Sequence, residues 1–393
     1  MSLETGKKIC DLILKEIDKP EGFLGRKTLR GLILEFIGGE PLLCPDLIDG
    51  IMSYFLPRLY MIRPELVPFV RISLTTNGQN YFDSKVQKFL KKYESIISLT
   101  VSIDGIKELH DAHRVTIDGK GSFDKAIAAF EDAKARGWSY SKMTFVPQSF
   151  PYIADSIKFL ISESIQDIFC NYAYEPYYNQ KDAEEFYYQM KEVSDYLFDN
   201  NLKDIYISCL DMLADGKSSM EGNYCGGTGN MLSFDMKGRA FPCLRYHPTC
   251  LGEELSSTVQ LGDYNGLYQT EAQCKARDCL NCITYKSQSE QKCIDCPVSS
   301  NCGWCSANNL QMTGSVNKRV TNICWAHKGR VLAGYYYSAK RYLLWHDFRP
   351  MKICLPDEDA LQIISQSEWD GLKTLVNEAI TVFEKEKDPL LIS

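Results

Sequence analysis

The sequence has no apolar run near eighteen residues, no surplus of positive charge, no internal repeat and no low-complexity tract. The first absence excludes a transmembrane helix, which needs about 20 consecutive, mostly apolar residues. The second, a formal net charge of −7, removes any general electrostatic pull toward nucleic acid or an anionic membrane. The opening stretch "MSLETGKKICDLILKEI" places Ile9, Leu12, Ile13 and Ile17 at helical spacing and lacks the pattern of a secretory signal. A cytoplasmic location is therefore expected, with no nucleic-acid and no membrane partner. Cysteine is scarce at first: Cys10, Cys44 and Cys170 are the only ones in the first two hundred residues, all in apolar surroundings that suit core packing.

The chain nevertheless holds 16 cysteines. Seven lie between Cys274 and Cys305, flanked by Cys225, Cys243, Cys250 and Cys324. The stretch "KCIDCPVSSNCGWC" sets two C-x-x-C pairs, Cys293/Cys296 and Cys302/Cys305, only five residues apart. Disulfide scaffolds belong to small secreted domains and fit poorly. Zinc sites commonly separate their ligand pairs by a finger of about twelve residues or more. Iron–sulfur clusters take thiolates at this tighter spacing, and seven or eight thiols suit two clusters better than one zinc ion. Spacing alone leaves both zinc and iron–sulfur open.

At 393 residues the chain can build one large core with a satellite, or two domains. Up to about residue 175, helical and strand patterns alternate, with strands in "GLILEFIGGEP", "VRISLTTNG", "SIISLTVSIDG", "KMTFVPQ" and "DIFCNYAYEP". Alternation of this kind predicts the α/β class, with parallel strands buried on both faces. The glycine-rich and polar signals "GGE", "TTNG" and "SIDG" sit at strand carboxyl ends, the edge that carries the site in such folds. Each one is equally an ordinary turn. Residues 182–215 read as helical with a loop near Asn200, and "MLSF", "DMKG" and "RAFPC" as a β-hairpin. The last seventy residues return to helix, where Tyr335, Tyr336 and Tyr337 pack it onto the rest and "EKEKD" is a solvated face. His110 and His113, beside Asp111, read as local hydrogen-bonding groups.

With these motifs placed, the sequence resembles a known family. "FIGGEP", "LTTNG" and "VSIDGIKELHDAHR", in that order, are similar to the core of radical S-adenosylmethionine (SAM) enzymes. The cysteines from "YC" through "CIDC" and "CGWC" to "NICWAH" resemble the SPASM extension that carries auxiliary [4Fe–4S] clusters. The wording of the second half is similar to peptide maturases that modify ribosomally made precursors, the CXXX-repeat target group above all. The resemblance implies a partial parallel (β/α) barrel of the radical SAM type lacking its first strand over 1–200. A SPASM domain with a β-hairpin would follow over 201–330, then C-terminal helices over 331–393.

It also implies roles. Gly38, Gly39 and Glu40 would bind the methionyl amino group of SAM. Thr76, Asn77, Ser102 and Asp104 would line the same cavity, and Arg114 would meet the SAM carboxylate. Cys225, Cys243 and Cys305 would hold the auxiliary cluster nearer the barrel. Its fourth ligand would be Cys209, Cys279 or Cys282, or an open position for substrate sulfur. Cys293, Cys296, Cys302 and Cys324 would close the second cluster. The implied partners are a precursor peptide and an electron donor such as flavodoxin or ferredoxin, and the implied reaction joins a cysteine sulfur to carbon as a thioether.

One departure matters. Radical SAM enzymes hold a third [4Fe–4S] cluster on a C-x-x-x-C-x-x-C loop after the first strand, and this sequence has no such triad. The chain is expected to be a fragment of the full enzyme, and as it stands not to generate a 5′-deoxyadenosyl radical. A degenerate, non-catalytic iron–sulfur or zinc peptide-binding protein is the alternative from another class. Anaerobic sulfatase maturation is a nearer rival. Those enzymes carry an acid directly after the cysteine matching Cys243, where this chain has Leu244.

Overall fold

A computed structural model describes residues 1–19, 29–138, 140–211, 216–218, 225–228, 231–347 and 352–387. Tyr224, Gly229 and Asn230 of the motif approaching the hairpin lie outside these, as does Asp388 of "EKEKD".

Six strands follow one another through the first half: β1 (Leu32–Phe36), β2 (Val70–Thr76), β3 (Ile97–Ser102), β4 (Tyr140–Phe145), β5 (Asp167–Tyr172) and β6 (Tyr206–Ile207). They form one parallel sheet in the order β1-β2-β3-β4-β5-β6. Every carboxyl end therefore falls on one edge. The helices α1 (Leu3–Asp18), α2 (Pro45–Ile62), α3 (Ser84–Lys92), α4 (Lys107–His113), α5 (Phe123–Ala135), α6 (Ile153–Ser162) and α7 (Gln180–Asp199) lie before and between these strands. Chain order equals sheet order, as expected where each crossover delivers the next strand beside the last.

The strands are not buried on both faces. Val70, Ile72 and Leu74 of β2 are fully buried, while Arg71, Ser73 and Thr75 between them are not. β3 repeats this with Ile97, Leu99 and Val101 against Ser98 and Thr100. Period-2 alternation of this kind marks a sheet with one packed face and one open face. The sequence reading missed it by weighing the apolar residues and not the polar ones between them. The open face carries Ser73, Thr75, Ser98, Thr100 and Asn171, with Ile33 and Phe169 as exposed apolar members.

Two further expectations are corrected. Of the 182–215 stretch read as helical with a loop near Asn200, the first part forms α7 and the break near Asn200 is there, but beyond it a turn, β6 and a single helical turn, Ser208–Asp211, follow, and 212–215 lie outside the described residues. Tyr206 and Ile207 pair with Asp167 and Ile168, so sheet pairing overrides the local helical pattern. Cys44 is exposed, because it sits at the joint between the Pro41–Leu43 turn and α2; Cys10 and Cys170 are buried as expected.

Beyond the sheet, the expected hairpin forms: β7 (Ser233–Phe234) pairs antiparallel with β8 (Arg239–Phe241), and Asp235 accepts from the backbone N–H of Lys237 and of Arg239 in the turn. Two short strands that the sequence reading did not find, β9 (Gly262–Asp263) and β10 (Gly266–Leu267), extend it to a four-stranded sheet. A second core of Phe241, Tyr246, Leu251, Leu261, Leu280 and Trp304, among others, forms beneath it. The long helix Cys324–Trp345 returns to the first core, packing along α7 with Tyr335 and Tyr337 buried. Tyr336 instead donates to Asp195 of α7.

Gly105, in the "SIDG" loop, has φ +118°, and a Cβ there would stand 2.1 Å from Ser156 Oγ. Both the backbone and the space require glycine. Gly105→Ala is expected to cost roughly 2–4 kcal/mol through combined strain and overlap. Chemical denaturation would measure it, and a loss under about 0.5 kcal/mol, the range of ordinary surface changes, would contradict the packing described.

Candidate functional site

The carboxyl end of β1 runs straight into Gly38, Gly39 and Glu40. The Glu40 carboxylate turns inward along the edge. Its Oε1 accepts from Thr76 Oγ1 at 2.7 Å and from Leu42 N at 3.0 Å, and its Oε2 accepts from Asn77 N at 2.7 Å. Glu40 thus ties the end of β1 to the end of β2. A carboxylate offers about four lone-pair directions, of which these donors take three. The remaining one is on Oε2, room for one N–H of an ammonium group. Beside it, a Cβ built at Gly38 or Gly39 would meet nothing within 4 Å. The glycines there leave open space that none of the described residues fills.

Further along the edge, Asp104 follows β3 and takes Arg114 in a two-point ion pair, with Arg114 Nη2 at 3.2 Å from Oδ1. The pair closes a ring. Ser122 Oγ donates to Arg114 O at 2.8 Å, His110 Nε2 lies 3.0 Å from Ser122 Oγ, and Asp104 N donates to His110 Nδ1 at 3.3 Å. His110 is fully buried, and burial lowers its pKa against the opposing pull of Asp104. The structure gives His110 and Asp111 the local hydrogen-bonding part that the sequence suggested: Asp111 accepts from Phe123 N. Ser102, at the end of β3, is nearly buried, and Asn77 accepts from the N–H of Gln79 within its own turn.

The structure sorts the seven principal cysteines into two groups. Burial raises the pKa of Cys225 and of Cys243, the latter to about 12, and in both cases the nearby Cys305 adds to the rise. A Cβ at Gly227 would lie 3.5 Å from the sulfurs of Cys225 and Cys243 alike, and the Gly227 N–H donates to Cys225 Sγ at 3.4 Å. Cys243 and Cys305 pack against the second core. In the other group, burial lifts Cys302 to about 11 and also raises Cys293 and Cys324, and the members raise one another: Cys296 acts on Cys293, Cys302 and Cys324. Cys296 packs against the first core.

The thiols of each group feel one another's charge, yet no set of three or more metal-ligating side chains converges on one point among the described residues. A four-iron cluster is wider than a single ion and takes its thiolates from farther apart. Thiols raised in this way are protonated at neutral pH, so any metal they bind must displace protons. Cys209 is elsewhere: buried at the end of β6, it donates to Cys170 O at 3.2 Å. Cys279 and Cys282 are exposed at the end of the helix Glu271–Asn281, which packs against the turn following Cys225.

Sequence reasoning did not single out the basic groups that grip the Cys293–Cys305 loop. Arg319 Nη2 donates to Cys302 Sγ at 3.0 Å, Arg330 Nη2 donates to Asn301 O at 2.9 Å, and His327 Nε2 donates to Val298 O at 2.6 Å. "VNKRVTNICWAHKGR" carried this signal as a cluster of basic residues beside Cys324. His327 is buried, and burial, aided by Arg330, holds its pKa down at about 3 against an ordinary 6.5. Below pH 6.5 the unfolded chain takes up a proton here that the folded chain refuses, so stability falls as pH drops from 6.5 toward 3. The contribution is about 4–5 kcal/mol at the bottom of that window. His327→Gln is expected to flatten this part of the stability–pH curve, and an unchanged slope would refute the assignment.

No protein-family profile and no curated protein matches the chain. Solved structures do. Native anSMEcpe with bound AdoMet superposes at a TM-score of 0.60 with 17% identity, covering 87% of this chain and 89% of that one. Native anSMEcpe with bound AdoMet and Kp18Cys peptide superposes at 0.58, again with 17% identity, covering 87% and 90%. The chain has the fold of these structures. The expectation of an α/β chain of that type, with a cysteine-rich region after its parallel strands, is met over most of the chain.

Proposed function

We propose that this chain binds SAM at the edge described above, holds two auxiliary [4Fe–4S] clusters, and, with a reducing cluster that these residues do not themselves ligate, acts on a ribosomally made precursor peptide. The single observation that carries this reading is Glu40: a carboxylate held by Thr76 and Asn77, with one acceptor direction left, beside the open space at Gly38 and Gly39. The neighbours' bound AdoMet and peptide support the two kinds of ligand. Glu40 would balance the methionyl ammonium, while the backbone at Gly38 and Gly39 approaches without obstruction. Arg114, oriented by Asp104, would offer its remaining N–H groups to the SAM carboxylate.

Cys225, Cys243 and Cys305 would hold one cluster and Cys293, Cys296, Cys302 and Cys324 the other, with the Gly227 N–H donating to a ligand sulfur as supporting donors do around metal sites. In enzymes of this kind bound SAM and its reducing cluster supply hydrogen abstraction from the peptide, and the auxiliary clusters supply electron transfer or an iron that accepts substrate sulfur. Formation of a thioether at cysteine is the outcome we assign. The electron donor would be a flavodoxin or ferredoxin, in the cytoplasm. Lacking a C-x-x-x-C-x-x-C triad, these residues by themselves would bind SAM without cleaving it.

That same lack favours a second reading, a non-catalytic metal-stabilised peptide binder. Equilibrium dialysis of the anaerobically reconstituted chain against radiolabelled SAM separates the two. Saturable binding of about one SAM per chain supports the first reading, and no binding contradicts it in favour of the second.

A further inference from the structure

Arg319 is only 8% exposed, and no carboxylate among the described residues is in contact with it. A buried guanidinium is costly unless an anion or a full set of acceptors receives it. Here Nη2 donates to Cys302 Sγ at 3.0 Å, to Cys302 O at 3.0 Å and to Gly303 O at 3.4 Å, while Nη1 is buried with no partner. The side chain cannot easily turn away. Its plane lies over the ring of Tyr285, whose hydroxyl donates to Cys293 O. Its own N–H donates to Gln288 O at 2.8 Å. Buried Asn309 pins the segment from both sides, donating to Gln288 Oε1 and accepting from Val320 N, each at 3.0 Å. A fixed buried cation, one donor spent on a cysteine sulfur and another unspent, has no anion beside it among the described residues except thiolate.

We infer that Arg319 is a positioning residue for a cluster on Cys293, Cys296, Cys302 and Cys324, neutralising thiolate charge and donating to the Cys302 sulfur. The inference rests on the cluster reading given above. A cation and a donor at a ligand sulfur favour the more negative, reduced state of a cluster, so Arg319 raises its reduction potential. Taking it away leaves the one-electron reduction less favourable, the electron in either case coming from the external reductant.

The test uses the whole reconstituted chain, as wild type, Arg319→Lys and Arg319→Gln. It counts iron and follows a reductive titration by electron paramagnetic resonance. Arg319→Gln is expected either to lose the iron of one cluster or to keep it with reduction at least tenfold less favourable, about 59 mV lower for one electron. Arg319→Lys should keep the iron and fall between the two. A potential and iron content unchanged in Arg319→Gln, or an Arg319→Lys no better than Arg319→Gln, would overturn the role of Arg319 and leave the cluster reading standing. Wild type that binds no iron overturns the cluster reading itself, and the inference with it.

Discussion

Replacing Cys243 and Cys305 together by alanine is expected to remove about four irons per chain, one cluster's complement, from the reconstituted protein. Replacing Cys293 and Cys302 together should remove a similar number, and the two losses should add. Cys305 acts on Cys225 and Cys243, and Cys296 on Cys293, Cys302 and Cys324, although Cys302 and Cys305 are separated by only two residues in the chain. Neighbours in sequence thus fall into different groups. If both double variants removed all the metal, or if each removed the same portion and the losses did not add, the seven thiols would form one site. Because the stretch 295–305, which supplies cysteines to both groups, contains no helix or strand, metal binding and folding are coupled there. Each double variant should therefore also lower the melting temperature of the loaded protein.

Glu40→Gln is expected to weaken SAM binding by roughly ten- to a hundredfold, the worth of about 1.5–3 kcal/mol for a hydrogen bond to a charged group. The change keeps the shape of the side chain. Its carbonyl oxygen can still accept from Thr76 Oγ1 and Leu42 N, but the amide –NH2 would face Asn77 N–H, two donors against each other. Some stability is lost for that reason, about 1–3 kcal/mol. Equilibrium dialysis with SAM, alongside chemical denaturation, distinguishes the effects: a stability loss with unchanged SAM affinity would make Glu40 a staple between β1 and β2 and nothing more.

Much of the edge was legible in the sequence because its signals are local. A glycine pair and an acid after an apolar strand, or "SIDG" after another, announce a carboxyl end wherever the strand lies. Gly105 was legible as a turn but not as the residue that Ser156 leaves no room beside, since that contact spans two helices. The pairing of Asp104 with Arg114 could not be read either, because ten residues of loop and helix must fold back to bring them together. The open face of the sheet was written in the sequence, in Arg71, Ser73 and Thr75 between apolar neighbours, and was passed over. Strands β9 and β10 carried almost no signal: two residues each, held by the hairpin they extend. The part of Arg319 depends on Gln288 and Asn309, distant in sequence, that no pattern joins to it.

The proposed function requires that the cysteines hold iron–sulfur clusters. Counting iron, acid-labile sulfide and zinc per chain, after purification and reconstitution without oxygen, tests it most directly. The account predicts about eight irons with matching sulfide, two four-iron clusters. One or two zinc ions with no sulfide would contradict it, and the paired C-x-x-C motifs would then be a structural clip.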